Sequence, residues 1–462
     1  MSEADQVSGK RISVIGAGIS GSGLARLAAR LGAKVFVSES KTLSDESIIS
    51  SFRDAGIEWE DGGHSRRLYD ADYILVGSGV SPNAAPVAEA GRMGLPVMGE
   101  LDFLAPYLTG KTIGVTGSNG KSTTTALIGH LLQNAGFSVE VTGNIGKSMA
   151  DSVLERRNFF VVELSSFQLY WNSLFACDVA LVTNLAPDHI DWHGSFEEYV
   201  KAKGRILSTR KEEGYSVFQQ QDRAALSSSF TDRCRNIITF QWRDGRDGIQ
   251  WDGLYADSLE ERVSLRLPGG EEEILFDFRD VPLMGRHNIE NAAFAAAAVR
   301  LAAGPGVFHG GLFSGFRGLA HRCEFVATIA DVTYVDDSKG TNVAASSTAL
   351  RSLPGKKVVI LGGQGKGEEY GPLAEAVRNE ACAAVVLGEE KTKIADALLN
   401  AGFPDFFVVD SMEEAVRKAS VVAPPRSIVL LSPACTSWDM YPNYKKRGED
   451  FQRIVLELKE EE

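Results

Sequence analysis

The sequence predicts an α/β protein of three domains: two Rossmann-like units on either side of a P-loop ATPase-like one. Short apolar runs alternate with helical periodicity along most of the chain, which is the pattern of parallel sheets with crossover helices. Glycine-rich stretches follow such runs at 16–21, 117–120 and 362–367. A length of 462 residues exceeds what one hydrophobic core usually serves.

The first domain is placed at residues 1–99. Arg11-Ile12-Ser13-Val14-Ile15 reads as a strand, Gly16-Ala17-Gly18-Ile19-Ser20-Gly21 as a turn and 22–31 as a helix. A strand at 34–37 ends at Ser38-Glu39, and Tyr73-Ile74-Leu75-Val76 leads into Gly77-Ser78-Gly79-Val80-Ser81. The spacing Gly16-x-Gly18-x-x-Gly21, with acidic Glu39 after the next strand, fits a dinucleotide fingerprint. Its physics is close backbone approach to a diphosphate and a carboxylate for hydroxyl or N–H groups. NAD or any other nucleotide diphosphate satisfies it, and so does a purely structural glycine turn.

The second domain is placed at 100–318. Ile113-Gly114-Val115 precedes Thr116-Gly117-Ser118-Asn119-Gly120-Lys121-Ser122-Thr123, and a helical run follows from 124. This strand–loop–helix order is a P-loop, whose N–H groups and helix N-terminus receive phosphate. The first glycine of the usual spacing is replaced by Val115, so the loop is a shortened variant. Lys121 is assigned to the outer phosphates and the Ser122 hydroxyl to Mg²⁺.

Glu163 ends the apolar run 159–162, where a second carboxylate can share that ion. The polar stretch after it is either part of a site or a helix-capping Ser165-Ser166 pair. Two Asp and two His crowd into Asp188-His189-Ile190-Asp191-Trp192-His193 beyond a strand, which points to a hard cation, Mg²⁺ before Zn²⁺. Ser195-Phe196-Glu197-Glu198 reads as a capping box. In the helix it starts, Phe196, Tyr199, Val200, Lys203 and Leu207 share one face. Desolvation there would lower the Lys203 pKa and leave an amine able to capture CO₂ as a carbamate. The other reading packs the stem and leaves the ammonium in water.

After Glu212 the composition turns to alternating apolar residues, as at Ile249-Gln250-Trp251 and 263–267, and predicts a small antiparallel addition. The Ala-rich run 291–303 closes the domain. The third domain, 319–462, carries strand-like runs at 332–336, 357–361, 384–387, 406–410 and 427–431, a second doubly wound sheet. Asp336-Asp337-Ser338-Lys339 and Gly362-Gly363-Gln364-Gly365-Lys366 each put a lysine at a strand's carboxyl end. His321-Arg322, at the joint of two domains, suits a nucleotide or a surface ion pair equally. Glu460-Glu461-Glu462 reads as a solvated tail.

Hydrophobic residues at 44% and charged ones at 24% describe an ordinary soluble globular protein, and a formal charge of −13 argues against a nucleic-acid scaffold. No long apolar span is present and the first ten residues are polar, so neither membrane insertion nor a signal peptide is expected. Five cysteines without Cys-x-x-Cys spacing predict reduced thiols in the cytosol, not a disulfide frame or zinc site.

Taken together the motifs resemble the Mur ligases of bacterial cell-wall synthesis. The resemblance is carried by Thr116–Thr123, Gly143-Asn144-Ile145-Gly146, Glu163-Leu164-Ser165-Ser166-Phe167-Gln168-Leu169 and Asn184 with 187–194. It continues through Lys203, Gly285-x-His287-Asn288-x-x-Asn291, His321-Arg322, Asp337-Ser338-Lys339-x-Thr341-Asn342 and Leu431-Ser432-Pro433-Ala434-x-x-Ser437-x-Asp439. What it implies is a cytoplasmic, monomeric, ATP-dependent ligase of peptidoglycan precursor synthesis. That enzyme adds D-glutamate to the L-alanyl carboxylate of UDP-N-acetylmuramoyl-L-alanine through an acyl phosphate.

By the same likeness Gly117, Ser118, Asn119, Gly120, Lys121, Ser122, Thr123, Asn288, Asn291, Arg322 and Asp337 bind ATP. Gly18, Ile19, Ser20, Glu39, Ser81, Asn144 and His189 meet the UDP substrate, with the first glycine loop given to UDP and not to NAD. Lys339, Thr341, Lys366, Ser437 and Tyr444 hold D-glutamate, Tyr444 standing where Phe is common. Two Mg²⁺ ions fall to Ser122, Glu163, His189 and a carbamylated Lys203, and Lys121, His189, Lys203 and Lys339 carry the catalysis. The competing readings are a sibling ligase for a diamino acid, a folylpolyglutamate synthetase-like ligase and an NAD-binding dehydrogenase or sensor.

Overall fold

Strands β1 (Arg11–Ile15), β2 (Lys34–Ser38), β3 (Glu58–Glu60), β4 (Tyr73–Val76) and β5 (Val97–Gly99) form the first sheet, all parallel, in the order β3-β2-β1-β4-β5. The structure is a computed structural model that describes residues 7–145, 148–230, 236–245, 252–283, 285–308, 311–365 and 367–461. Val14, Val37, Ile74, Leu75 and Val76 are fully buried, as strands covered on both faces require. The strand order reverses between β1 and β4, which opens a crevice at their carboxyl ends. Helix α1 (Ile19–Arg30) starts there, and no side chain caps its first turn, so its N–H groups can meet a ligand.

The second sheet has nine strands: β6 (Lys111–Thr116), β7 (Val139–Gly143), β8 (Phe159–Glu163), β9 (Val179–Val182), β10 (Tyr215–Gln219), β11 (Ile237–Arg243), β12 (Gly253–Asp257), β13 (Arg262–Arg266) and β14 (Glu272–Asp277). Their order is β14-β13-β12-β11-β10-β9-β6-β8-β7. The antiparallel addition expected after Glu212 is real only from β12 onward. Strands β10, β11 and β12 pair in parallel and extend the main sheet. Of the three only β11 alternates in burial, and nothing in a strand's period states its direction. The expected Ile249-Gln250-Trp251 segment lies outside the described residues.

The third sheet runs β15-β16-β20-β17-β18-β19, from β15 (Glu324–Ile329), β16 (Val332–Asp336), β17 (Lys357–Gly362), β18 (Ala381–Leu387), β19 (Phe406–Val408) and β20 (Ile428–Leu431). Only its edge strand β15 is antiparallel. Contacts divide the chain into two compact units, Met1–Val281 with Ile289–Phe316, and Pro282–Asn288 with Arg317–Glu462. The first two sheets therefore share one unit and the third has its own. The Ala-rich helix starts earlier than its composition suggests, at Arg286, and takes in both Asn288 and Asn291. The last helix, Tyr444–Glu461, absorbs Glu460 and Glu461 from the expected tail. Cys177, Cys323, Cys382 and Cys435 are free, and Cys234 lies outside the described residues. Among the described residues no helix is long and apolar enough to cross a membrane.

Candidate active site

The P-loop is clamped by the loop that leaves β9. Gly117 has φ +141° and a Cβ there would stand 2.0 Å from Thr183 Oγ1, so no larger residue fits. Thr183 Oγ1 donates to Asn119 O at 2.6 Å, and Asn119 N–H donates to Asn184 Oδ1 at 2.9 Å. Ser118 Oγ bonds the backbone of Ala186 in both directions and lies 2.9 Å from Tyr199 OH. The loop is held in shape by neighbours that its own motif does not contain.

Two lysines converge on one carbonyl. Lys121, at the start of its helix (Lys121–Asn134), donates to Gly117 O at 2.8 Å and to Ser118 O at 2.9 Å. Lys203 donates to the same Gly117 O at 2.8 Å and is 2% exposed. Burial, reinforced by the Lys121 charge, drives the Lys203 pKa well below its ordinary value, although Asp188 and Glu163 oppose this. Of the two readings left by the helical pattern, the structure places the amine in the interior, not in water. Tyr199, Val200 and Leu207 share the buried face, whereas Phe196 is exposed. Only half of the expected capping box forms: Ser195 Oγ accepts from Glu198 N–H, while the Glu198 carboxylate pairs with Lys201 at 2.7 Å.

Glu163 ends β8 almost wholly buried. Its Oε1 accepts from Asn144 Nδ2 at 3.1 Å, and its Oε2 has no protein partner. A buried carboxylate oxygen is costly to leave unpaired, and a divalent cation is the partner such an oxygen suits. Ser122 is buried at the start of the P-loop helix, so the residues present fit a metal ion held by Ser122 and Glu163. Ser165 caps the next helix (Ser166–Tyr170) through a complete capping box with Gln168, and Ser166 Oγ lies 2.9 Å from His193 Nε2. His189 sits in the left-handed region at φ 51°, exposed, its ring 4.8 Å from that of Phe167. The side chain of Asp191 lies outside the described residues. Among the described residues, the one His, Cys, Asp and Glu group close enough to share an ion is His321, Glu324 and Asp336, in the other unit.

A cavity of about 700 Å³ lies over the carboxyl ends of the first sheet. Gly16, Gly18, Ile19, Ser20, Gly21, Glu39 and Ser81 line it, joined by Asn144 from the second sheet's flank. A Cβ on Gly21 would stand 1.9 Å from Gly16 O, so the close turn needs glycine. The carboxylate of Glu39, expected to face a ligand, lines the cavity and also ties two loops together: it accepts from Ala17 N–H of the glycine turn at 2.7 Å and from Ser40 Oγ and Lys41 N–H of its own loop at 3.0 Å. Burial pushes the Glu39 pKa up, but these donors outweigh it and hold the group below its ordinary range. The motifs missed Glu100, Gln168 and Ser148, which also line the cavity. Gln168 Nε2 donates to Glu100 at 3.0 Å, and the buried Ser148 hydroxyl has no partner. An acid directly after the expected boundary at residue 99 was the available sequence signal for Glu100.

The third sheet gathers a separate group. Asp337 is buried, and desolvation raises its pKa to about 7 despite Ser432 Oγ at 2.6 Å and the nearby Arg322 charge. His321 Nδ1 lies 2.7 Å from Asp336, which holds the imidazole above its ordinary pKa. Lys339 Nζ stands over the Tyr444 ring at 5.6 Å. Ser437 is buried and Thr341 half-buried, while Lys366 lies outside the described residues, as does Gly146. Arg447 was not anticipated. Its guanidinium donates to Ser338 Oγ and O, Thr436 O and Cys435 O, and so joins the 338 and 435–437 loops.

Fold and site thus define a P-loop protein with a second cavity over the carboxyl ends of a Rossmann-like sheet. Three sequence families match the chain: the Mur ligase middle domain over 115–299, the Mur ligase glutamate ligase domain over 321–435 and the MurD N-terminal domain over 11–85. Similar over nearly the full length is the UDP-N-acetylmuramoylalanine–D-glutamate ligase of Desulfosudis oleivorans, 38% identical across 98% of this chain and 97% of that protein. The protein of the same name from Pelotomaculum thermopropionicum is 36% identical across 97% and 98%. Among solved structures, the MurF ligase of Thermotoga maritima in complex with ADP shares the fold, with a TM-score of 0.57 at 16% identity over 99% of this chain and 100% of that one. The chain belongs to the Mur ligase family, and it is an ATP-dependent amide-bond-forming ligase.

Proposed function

We propose that this ligase joins D-glutamate to the L-alanyl carboxylate of UDP-N-acetylmuramoyl-L-alanine in peptidoglycan precursor synthesis. Full-length relatives of that name and the MurD N-terminal match support the substrate pair. One observation carries the chemistry: Lys121 and the desolvated Lys203 meet at Gly117 in the domain that holds the half-paired, buried Glu163.

A carboxylate cannot expel oxide, so it first needs a leaving group. The substrate carboxylate oxygen attacks the γ-phosphorus of ATP, the bond to the bridging oxygen breaks, and ADP departs from an acyl phosphate. The amine of D-glutamate then attacks the carbonyl carbon, phosphate leaves, and the amine's extra proton passes to solvent. Lys121 offsets charge on the transferring group, a role that needs position more than covalent chemistry. Bound Mg²⁺ would add charge neutralisation at the phosphates, and Ser122 and Glu163 are the residues suited to hold it.

A buried neutral amine can add to CO₂, forming an N–C bond and releasing one proton. That reaction supports a carbamate on Lys203, which with His189 would serve a second ion. Asn288, Asn291, Arg322 and Asp337 are assigned to ATP, and Lys339, Thr341, Lys366, Ser437 and Tyr444 to D-glutamate. The domains are taken as 1–99, 100–318 and 319–462.

ADP release is to be measured with the uridine substrate, ATP, Mg²⁺ and a panel of amino acids. D-Glutamate alone should support turnover. Turnover with lysine or diaminopimelate in its place would assign the chain to a sibling activity.

A further inference from the structure

One side chain of the first-sheet cavity takes no part in the reaction above. His64 follows the edge strand β3 and lines the cavity beside Glu39 and Ser40. The hydroxyl of Ser38, fully buried at the end of β2, lies 2.7 Å from Glu60 Oε1 and 2.7 Å from His64 Nδ1. Burial pushes the Glu60 pKa up, but hydrogen bonds from Ser38 and Ser65 outweigh it and keep the group a carboxylate. A carboxylate only accepts, so the single Ser38 proton goes to Glu60. The Ser38 oxygen then takes its other hydrogen bond from His64 Nδ1–H. In the neutral ring this leaves Nε2 with a lone pair and no proton.

The cavity has a direction. Glu100 follows β5 directly and bonds Gln168 of the second sheet's flank, so the β5 side faces the P-loop domain. The acyl end of the substrate has to reach that side, near Asn144 and Glu163. The diphosphate falls to the Gly16–Gly21 turn on β1, and the base falls beyond it, over the ends of β2 and β3. At that end the Glu39 carboxylate is already engaged by three donors, Ala17 N–H of the first glycine turn and Ser40 Oγ and Lys41 N–H of its own loop. An acceptor is needed there because uracil presents an imide N3–H, whereas cytosine presents a lone pair at N3.

We propose that His64 is a specificity-determining residue for the nucleobase, its Nε2 accepting the uracil N3–H while Ser38 and Glu60 fix the ring's tautomer. The inference rests on the reading of this cavity as the uridine diphosphate site. Calorimetric titration of the full chain with UDP, 3-methyl-UDP and CDP tests it. The wild type should prefer UDP to the other two by about tenfold, the worth of one hydrogen bond lost against a buried acceptor. His64→Leu should lose that tenfold for UDP and leave 3-methyl-UDP unchanged. It should raise KM for the uridine substrate without changing kcat. Ser38→Ala should lose part of the preference by freeing the ring.

Imidazole ¹⁵N–¹H correlation spectra of the wild type supply a readout that needs no variant: Nδ1 protonated and Nε2 bare is expected. The opposite tautomer, or equal loss of UDP and 3-methyl-UDP in His64→Leu, overturns the role of His64 and leaves the uridine cavity intact. Wild-type protein that binds none of the three nucleotides overturns the cavity reading itself.

Discussion

Lys203 shows how one residue's environment can change its chemistry. On an exposed helix face its ammonium would be an ordinary surface charge; buried against Gly117 O and beside Lys121, its pKa is driven well below the ordinary lysine value by desolvation and the Lys121 charge. Lys203→Ala should therefore reduce ADP release by about 10²–10³-fold, the range for losing a preorganised charge-stabilising group. Added short-chain carboxylates should restore part of the rate. Full activity of the variant without such additives would remove Lys203 from the mechanism. Glu163 makes a different statement, because one of its oxygens has a partner and the other has none. Glu163→Gln keeps an acceptor for Asn144 but loses the charge. The Mg²⁺ concentration for half-maximal rate should rise about 10–100-fold, read from a metal titration at fixed ATP. An unchanged titration would show that Glu163 faces no ion.

At the scale of elements, the functional loops are shaped by neighbours distant in sequence. The P-loop depends on Thr183, Asn184 and Ala186 beyond β9, and the third-sheet loops depend on Arg447 from the last helix. Replacing Arg447 with Ala would take the guanidinium from the Ser338 and Cys435 carbonyls, while Thr436 O keeps Gln364 N–H, and each unsatisfied buried acceptor costs about 1–3 kcal/mol. A loss of at least about 2 kcal/mol in denaturant stability is expected, accompanied by a raised KM for the amino acid. Arg447→Lys should recover little, since an ammonium lacks the planar fork that reaches both loops. A melt indistinguishable from wild type would mean the loops hold themselves. The same scale explains what was legible in advance. The glycine turns and their strands were readable because the chain pattern and the turn chemistry lie within a few residues of each other. The direction of β10 and β11 was not, because a strand's side-chain alternation is identical in either orientation.

Across the whole molecule, buried carboxyls tie stability to pH. Asp337 has its pKa raised from 3.8 to about 7. The folded state therefore holds a proton that the unfolded state releases between those values. Its contribution is fully present below about pH 4 and is lost as pH rises through about 7. Asp337→Asn removes this dependence. The stability difference between variant and wild type should grow in the variant's favour from pH 5 to pH 8, as read from paired denaturant titrations. A difference flat with pH would show that Asp337 is ionised in the fold. The net charge of −13 adds a general repulsion that both proteins share, which is why the difference is the quantity to read.

What the sequence determined by itself was local and periodic: three runs of alternating strands and helices, the phosphate-binding turns, and the order of motifs along the chain. Those follow from backbone sterics and from hydrophobic period, which act within a single element. Only the tertiary structure decided that Lys203 is desolvated, that Glu163 has one oxygen to spare, and that Glu39 ties the first glycine turn to its own loop. It also placed His64 and Glu100 on the first-sheet cavity and Arg447 between two loops of the third sheet, although no motif contains them. Burial and hydrogen-bond partnership belong to pairs of distant residues, and only folding brings such pairs together.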